Sequence, residues 1–140
     1  MWGTSIAGAK TPAEQASELL VRTVGGLSSA QGYDFVDSCA GAGGPTPLME
    51  ASMNQRLQKA GFSPVRFVLT DLWPDLKAWK EIRSPNIDRI ETPVDATAAT
   101  RIARPGKKEC RVYNLCFHHF DDASARRVLS NAVKTGDAFV

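Results

Sequence analysis

The sequence predicts an α/β domain with a mostly parallel sheet flanked by helices. Helical and strand-like periods alternate along the chain, the order that builds such a sheet. One strand candidate, Tyr33 to Asp37, runs into Cys39-Ala40-Gly41-Ala42-Gly43-Gly44, a turn of small residues only, and a helix start follows it. A second, Val65 to Thr70, is apolar enough to be buried on both faces, as strands of a parallel sheet are. At 140 residues the chain suits one compact core. Within it, residues 1–32 read as an N-terminal helix and linker, and residues 33–140 as the part that carries the sheet.

The first helix is marked by Thr11 as N-cap, Pro12 at the first helical position and Glu14 where a capping box places its carboxylate. It is predicted from Pro12 to about Val24, with Gly25 and Gly26 as the stop and Ala16, Leu19, Leu20, Val24 and Leu27 at helical spacing. After the glycine turn, Thr46 and Pro47 repeat the cap-then-proline start. Met49, Met53, Leu57 and Ala60 form the buried stripe of this second helix, and Gly61 ends it. Beyond the strand Val65 to Thr70, which runs into Asp71, Pro74 opens a short helix carrying Leu76 and Trp79.

Ile87 to Glu91 is the third strand and leads into Pro93-Val94-Asp95. A polar connection follows, in which Lys107 and Lys108 beside Pro105-Gly106 read as a solvated turn, and the fourth strand spans Arg111 to Phe117. Asp121 and Asp122 offer caps for a last helix with Ala125, Val128, Leu129, Ala132 and Val133 inside and Gly136 as its stop. Ala138-Phe139-Val140 read as the first residues of a fifth strand, so the expected architecture is incomplete after strand four or the start of strand five.

Composition removes several function classes. A formal charge of +2 gives no reason to expect a polyanionic partner, and nucleic-acid binding is not expected. No stretch approaches the roughly 20 apolar residues of a membrane span, and Met1 to Lys10 lacks the basic start and apolar run of a signal peptide. A soluble, cytoplasmic protein is the expectation, with no membrane association in this segment. Cys39, Cys110 and Cys116 are odd in number and form no CxxC pair, which favours reduced thiols over a disulfide framework or a zinc ribbon. Counting from Gly41 and Gly43 puts Thr46 where a dinucleotide fingerprint needs its third glycine or alanine, and no GxxxxGK[ST] loop occurs.

In an open α/β sheet, ligands sit outside the carboxyl ends of the strands. Here those ends carry Asp37 with the glycine turn, then Asp71, then Asp95, then Asn114 to His119. The series Val-Asp-x-Cys-x-Gly-x-Gly, Leu-Thr-Asp-Leu, Pro-Val-Asp-Ala-Thr and Phe-His-His-Phe-Asp-Asp resembles the motif order of class I S-adenosylmethionine-dependent methyltransferases, from about Phe35 to Val140.

The resemblance implies a Rossmann-like fold, truncated at the C-terminus, with S-adenosylmethionine as cofactor. By position, Asp37, Cys39, Gly41 and Gly43 would meet its methionine part, where a Cβ would block close approach. Asp71 would accept both ribose hydroxyls, Leu72 or Trp73 would pack on the adenine, Asp95 would accept from the adenine amine and Ala96 would offer its backbone N–H. Asn114 joins the cofactor-binding set at the end of strand four. Cys39 departs from the family, which has glycine there.

His118 and His119 are the candidate catalytic bases, of which one faces the substrate if neighbouring side chains on a strand end point to opposite faces. A zinc set with Cys116 is the weaker reading, and no metal is expected. Asn114-Leu115-Cys116-Phe117 lacks both prolines and the tyrosine of the Asn-Pro-Pro-Tyr motif. Trp73 and Trp79 suit packing better than a pocket. Two functions remain: methyl transfer to a small-molecule acceptor, or the cofactor-binding portion of such an enzyme; and a non-catalytic module of the same fold. In the second, a partner chain or another copy covers an exposed sheet edge.

Overall fold

Five strands, β1 (Tyr33–Ser38), β2 (Phe67–Leu69), β3 (Ile87–Arg89), β4 (Lys108–Tyr113) and β5 (Ala138–Phe139), form one parallel sheet in the order β3-β2-β1-β4-β5 in the computed structural model. The structure describes residues 8–114 and 116–140. Leu115 of the expected fourth strand and residues 1–7 of the stretch read for a signal peptide lie outside the described residues. The strand order reverses between β1 and β4, which makes this a Rossmann-like α/β fold and opens a crevice at the carboxyl ends of those two strands.

The helices are α1 (Pro12–Thr23), α2 (Leu27–Ala30), α3 (Thr46–Lys59), α4 (Leu76–Trp79) and α5 (Asp122–Thr135). The α1 start is the expected capping box: the Glu14 amide donates to Thr11 Oγ1 at 3.1 Å and the Thr11 amide to Glu14 Oε2 at 2.6 Å. One face of the sheet carries α1 and α3. Their Ala13, Leu20, Val21, Met49, Met53 and Leu57 share a core with Phe35, Phe67, Leu69 and Val112, and the Phe35 and Phe67 rings stack at 5.1 Å.

Side chains alternate along β1 and β4, so Asp34, Val36, Glu109 and Arg111 point to the opposite face. Asp34 is buried between the guanidinium groups of Arg104, at 2.7 Å, and Arg66, at 3.1 Å. Burial pushes this carboxyl up, but the hydrogen bonds from Arg104 and the Arg66 charge outweigh it and hold Asp34 below its usual range.

Several expectations are corrected. Leu27 belongs not to α1 but to the short α2, which begins after Gly25 and Gly26, both at positive φ. Ala60 lies past the end of α3 and is exposed. Leu129 and Val133 of α5 are exposed, and only Val128 and Ala132 are fully buried there.

The largest correction is the fourth strand, which runs over Lys108–Tyr113 rather than Arg111 to Phe117. Lys108 pairs with Tyr33 in register and is no turn, while Phe117–His119 form a 3-10 turn. Charged residues hide the strand start, because Glu109 and Arg111 are buried against each other. Among the described residues, no helix is long and apolar enough to cross a membrane.

Candidate functional site

The site is assembled where β1 and β2 end and the glycine turn begins. Asp37, the penultimate residue of β1, is 1% exposed, and its Oδ2 accepts the Thr46 hydroxyl. Thr46 is not the N-cap that its place before Pro47 suggests. It is the first residue of α3, and its hydroxyl is turned to Asp37 while Pro45 caps the helix without a side-chain bond. Burial pushes the Asp37 carboxyl up to about 7. Thr46 and Asn114 oppose the rise and the Asp71 charge adds to it. Even so, Asp37 Oδ1 and Asn114 Nδ2 both lie buried without a well-formed hydrogen bond.

The turn is fixed by Asp71 and Trp79. Asp71 Oδ2 accepts the Gly41 amide and its Oδ1 the Trp73 amide, each at 2.8 Å. One lone pair on each oxygen is thereby used and the other remains for a ligand. Trp79, fully buried, donates from Nε1 to the Gly41 carbonyl at 2.8 Å. Trp79→Phe is expected to cost about 1 kcal/mol, read as a lower urea midpoint at unchanged slope.

Gly41 sits at φ +57 with nothing within 4 Å of where a Cβ would stand, so open space lies over the turn. Gly43 is required for another reason: at φ +111, a Cβ would meet Ile82 Cδ1 at 3.0 Å. The amides of Ala40, Gly41 and Gly43 are taken by Thr70 O, Asp71 and Ala40 O. What these glycines offer a ligand is room, more than those three donors.

Among the described residues, Cys39 is the one non-glycine at positive φ, +64, the left-handed region that a glycine would suit. Its thiol is turned to Cys116. The hydrogen bond between the two, reinforced by burial and the nearby acidic groups, pushes Cys39 up, and the same bond lowers Cys116.

Leu72 and Trp73 are exposed, Trp73 at 79%, directly after Asp71. The Val94 amide donates to the Asp71 carbonyl at 2.9 Å, tying the Asp95 and Ala96 segment to the same edge. Asp95 is exposed, and the Thr97 hydroxyl and amide, at 2.7 and 2.8 Å from Oδ1, hold its carboxyl below the usual range.

His118 and His119 lie on the 3-10 turn and not on a strand, so they do not point to opposite faces. Both are exposed, with ring centroids 3.9 Å apart.

Thr46, Trp79, Ile82 and Cys116 shape the site in ways that sequence reasoning misses. A hydroxyl shortly after a strand-end aspartate is the available signal for Thr46. The other three contacts span many residues and leave no local trace.

No protein-family model matches the sequence, and no curated protein matches it. A solved structure of a LepI variant in complex with SAH and a substrate analogue is similar to this chain, with 24% identity and a TM-score of 0.49. The match covers 75% of this chain and 24% of that one, so this chain spans about a quarter of that protein's length. The strand order, and not this likeness, defines the fold.

Proposed function

We propose that this chain is the S-adenosylmethionine-binding portion of a methyltransferase acting on a small-molecule acceptor. The observation that carries the reading is the open space over the glycine turn at the reversal of the strand order, with Asp71 beside it keeping a lone pair free on each carboxylate oxygen. Asp37 and Asn114 stand side by side at that reversal, where the amino-acid end of S-adenosylmethionine would lie. Asp71, with a free lone pair on each oxygen, suits a vicinal diol, and exposed Leu72 and Trp73 suit the face of a purine.

The cofactor supplies an already activated methyl group. The protein aligns donor and acceptor and excludes water. An oxygen acceptor gives up its proton to His118 or His119, both of which are open to solvent.

Calorimetric titration with S-adenosylhomocysteine, with mass recorded in the same buffer, tests this reading. Micromolar binding is expected, weakened about 10- to 100-fold in Asp71→Ala by loss of charge-assisted hydrogen bonds. Equal affinity in the variant removes Asp71 from the site.

A second reading, a non-catalytic module completed by another chain, draws support from the sheet edge. There β5 is two residues long and Phe139, Val133 and Leu129 are exposed together with it. A dimer mass without ligand binding in the same titration favours that reading.

A further inference from the structure

Two of the three cysteines, Cys39 and Cys116, meet at the mouth of the crevice. β1 and β4 pair in register as far as Ser38 and Tyr113; Cys39 is the first residue past β1, and Cys116 opens the 3-10 turn after β4. Neighbouring strands stand about 4.8 Å apart, so the two segments leave the sheet at a separation that a disulfide, with Cα atoms about 4.4–6.8 Å apart, can span. The thiols are in hydrogen-bond contact, Cys39 partly exposed and Cys116 5% exposed. Asp37 and Asp71 lie close enough for their charges to act on both. Cys39 presents its thiol from a left-handed backbone, φ +64, which a glycine adopts without strain. Cys110 is the internal contrast: it lies on β4 in the core, wholly buried, and burial together with the Glu109 charge pushes its thiol up to about 12. A thiolate is the reactive form of cysteine, so Cys110 is inert, whereas the hydrogen bond from Cys39 lowers Cys116 against the opposing effect of burial.

We propose that Cys39 and Cys116 are a modification site for hydrogen peroxide, forming a reversible disulfide that ties the end of β1 to the segment after β4 and closes the crevice to S-adenosylmethionine. The closure rests on the cofactor reading above and adds its regulation. In the first step the Cys116 thiolate attacks the peroxide and the O–O bond breaks; Cys116 becomes a sulfenic acid, and the hydroxide released takes up the thiol's proton and leaves as water. The Cys39 sulfur then attacks the Cys116 sulfur, and the second oxygen leaves with the Cys39 proton as water. Two thiols are oxidised to one disulfide while one peroxide is reduced to two waters. A dithiol reductant reverses the change through a mixed disulfide. Peroxide is little larger than water, which suits the small exposure of Cys116. Once bonded, the two segments have no freedom to part around the amino-acid end of the ligand.

The test treats the whole 140-residue chain with hydrogen peroxide, maps its cysteine peptides by mass spectrometry without reduction, and titrates the reduced and oxidised protein with S-adenosylhomocysteine. The expected result is a Cys39–Cys116 link, reversed by dithiothreitol, with affinity weaker by about tenfold or more in the linked form, the usual scale of coupling between sites. In Cys39→Gly, a replacement that suits the φ +64 backbone, peroxide is expected to leave the variant's affinity unchanged. No link, a link through Cys110 or between two chains, or a sulfinic acid at Cys116 in its place overturns the site. A Cys39–Cys116 link with equal affinity in both forms overturns the closure. A link in a protein whose reduced form binds no S-adenosylhomocysteine overturns the cofactor reading and the closure with it, and leaves the disulfide standing.

Discussion

Glu109→Ala is expected to lower the unfolding free energy by about 3–5 kcal/mol, because it strands a buried charge. Glu109 is wholly buried, and its Oε1 accepts the amides of Ile102 and Ala103 at 2.5 and 2.7 Å. Its Oε2 accepts Arg111 Nε at 2.9 Å. Arg111 is 1% exposed and keeps only Asn131 and the Thr100 carbonyl once the carboxylate is gone. Two backbone donors lose their acceptor at the same time. The double variant Glu109→Ala with Arg111→Met is expected to recover much of the loss, since an apolar replacement of a buried pair is near neutral. Urea unfolding of both variants measures this. A loss below about 1 kcal/mol for the single variant means that water reaches Arg111.

The second large effect is a dependence of stability on pH set by Asp37. Its carboxyl rises from 3.8 to about 7 in the folded state through burial. The folded protein therefore holds a proton that the unfolded chain releases, and stability is lost as pH rises from about 4 through about 7. A shift of this size corresponds to about 4 kcal/mol in full, of which about 3 kcal/mol falls between pH 5 and pH 8. The lowered carboxylates Asp34, Asp95, Asp121 and Asp137 act with the opposite sign. Their stabilisation is present above the unfolded value of 3.8 and is lost as pH falls below it, so it does not mask the Asp37 slope. Unfolding measured at pH 5 and pH 8 is expected to show the loss in the wild type and little of it in Asp37→Asn. A flat wild-type profile means that Asp37 is charged throughout.

The two effects separate the faces of the sheet. On the α1 and α3 face, apolar periodicity by itself announces Leu20, Met49, Met53 and Leu57, because a helix against a sheet must present such a stripe. On the other face, Asp34, Glu109 and Arg111 are buried as partners of Arg104, Arg66 and Asn131. Charged letters within a strand read as exposure, which is why the sequence pattern starts β4 three residues late. The fifth strand is legible as Ala138-Phe139-Val140 for the opposite reason: a short apolar segment after a glycine-stopped helix has few alternatives.

Within the site, the strand-end aspartates are visible because a carboxylate after an apolar run is conspicuous. Their states are not. Asp37 and Asp71 look alike in sequence, yet one is buried beside a hydroxyl and the other is held by two loop amides. The histidines are legible as chemistry and misplaced in geometry, since a strand that ends at Tyr113 carries them onto a 3-10 turn.

Residue order alone determined the alternation of elements, the glycine turn and the place of Asp37 and Asp71 where β1 and β2 end. These depend on local periodicity, capping and the need for small residues. Tertiary structure alone decided which charges are buried and which side chain holds which. Those outcomes depend on contacts between residues far apart in the chain, such as Asp34 with Arg104 or Gly41 with Trp79, and no local pattern encodes a long-range pair.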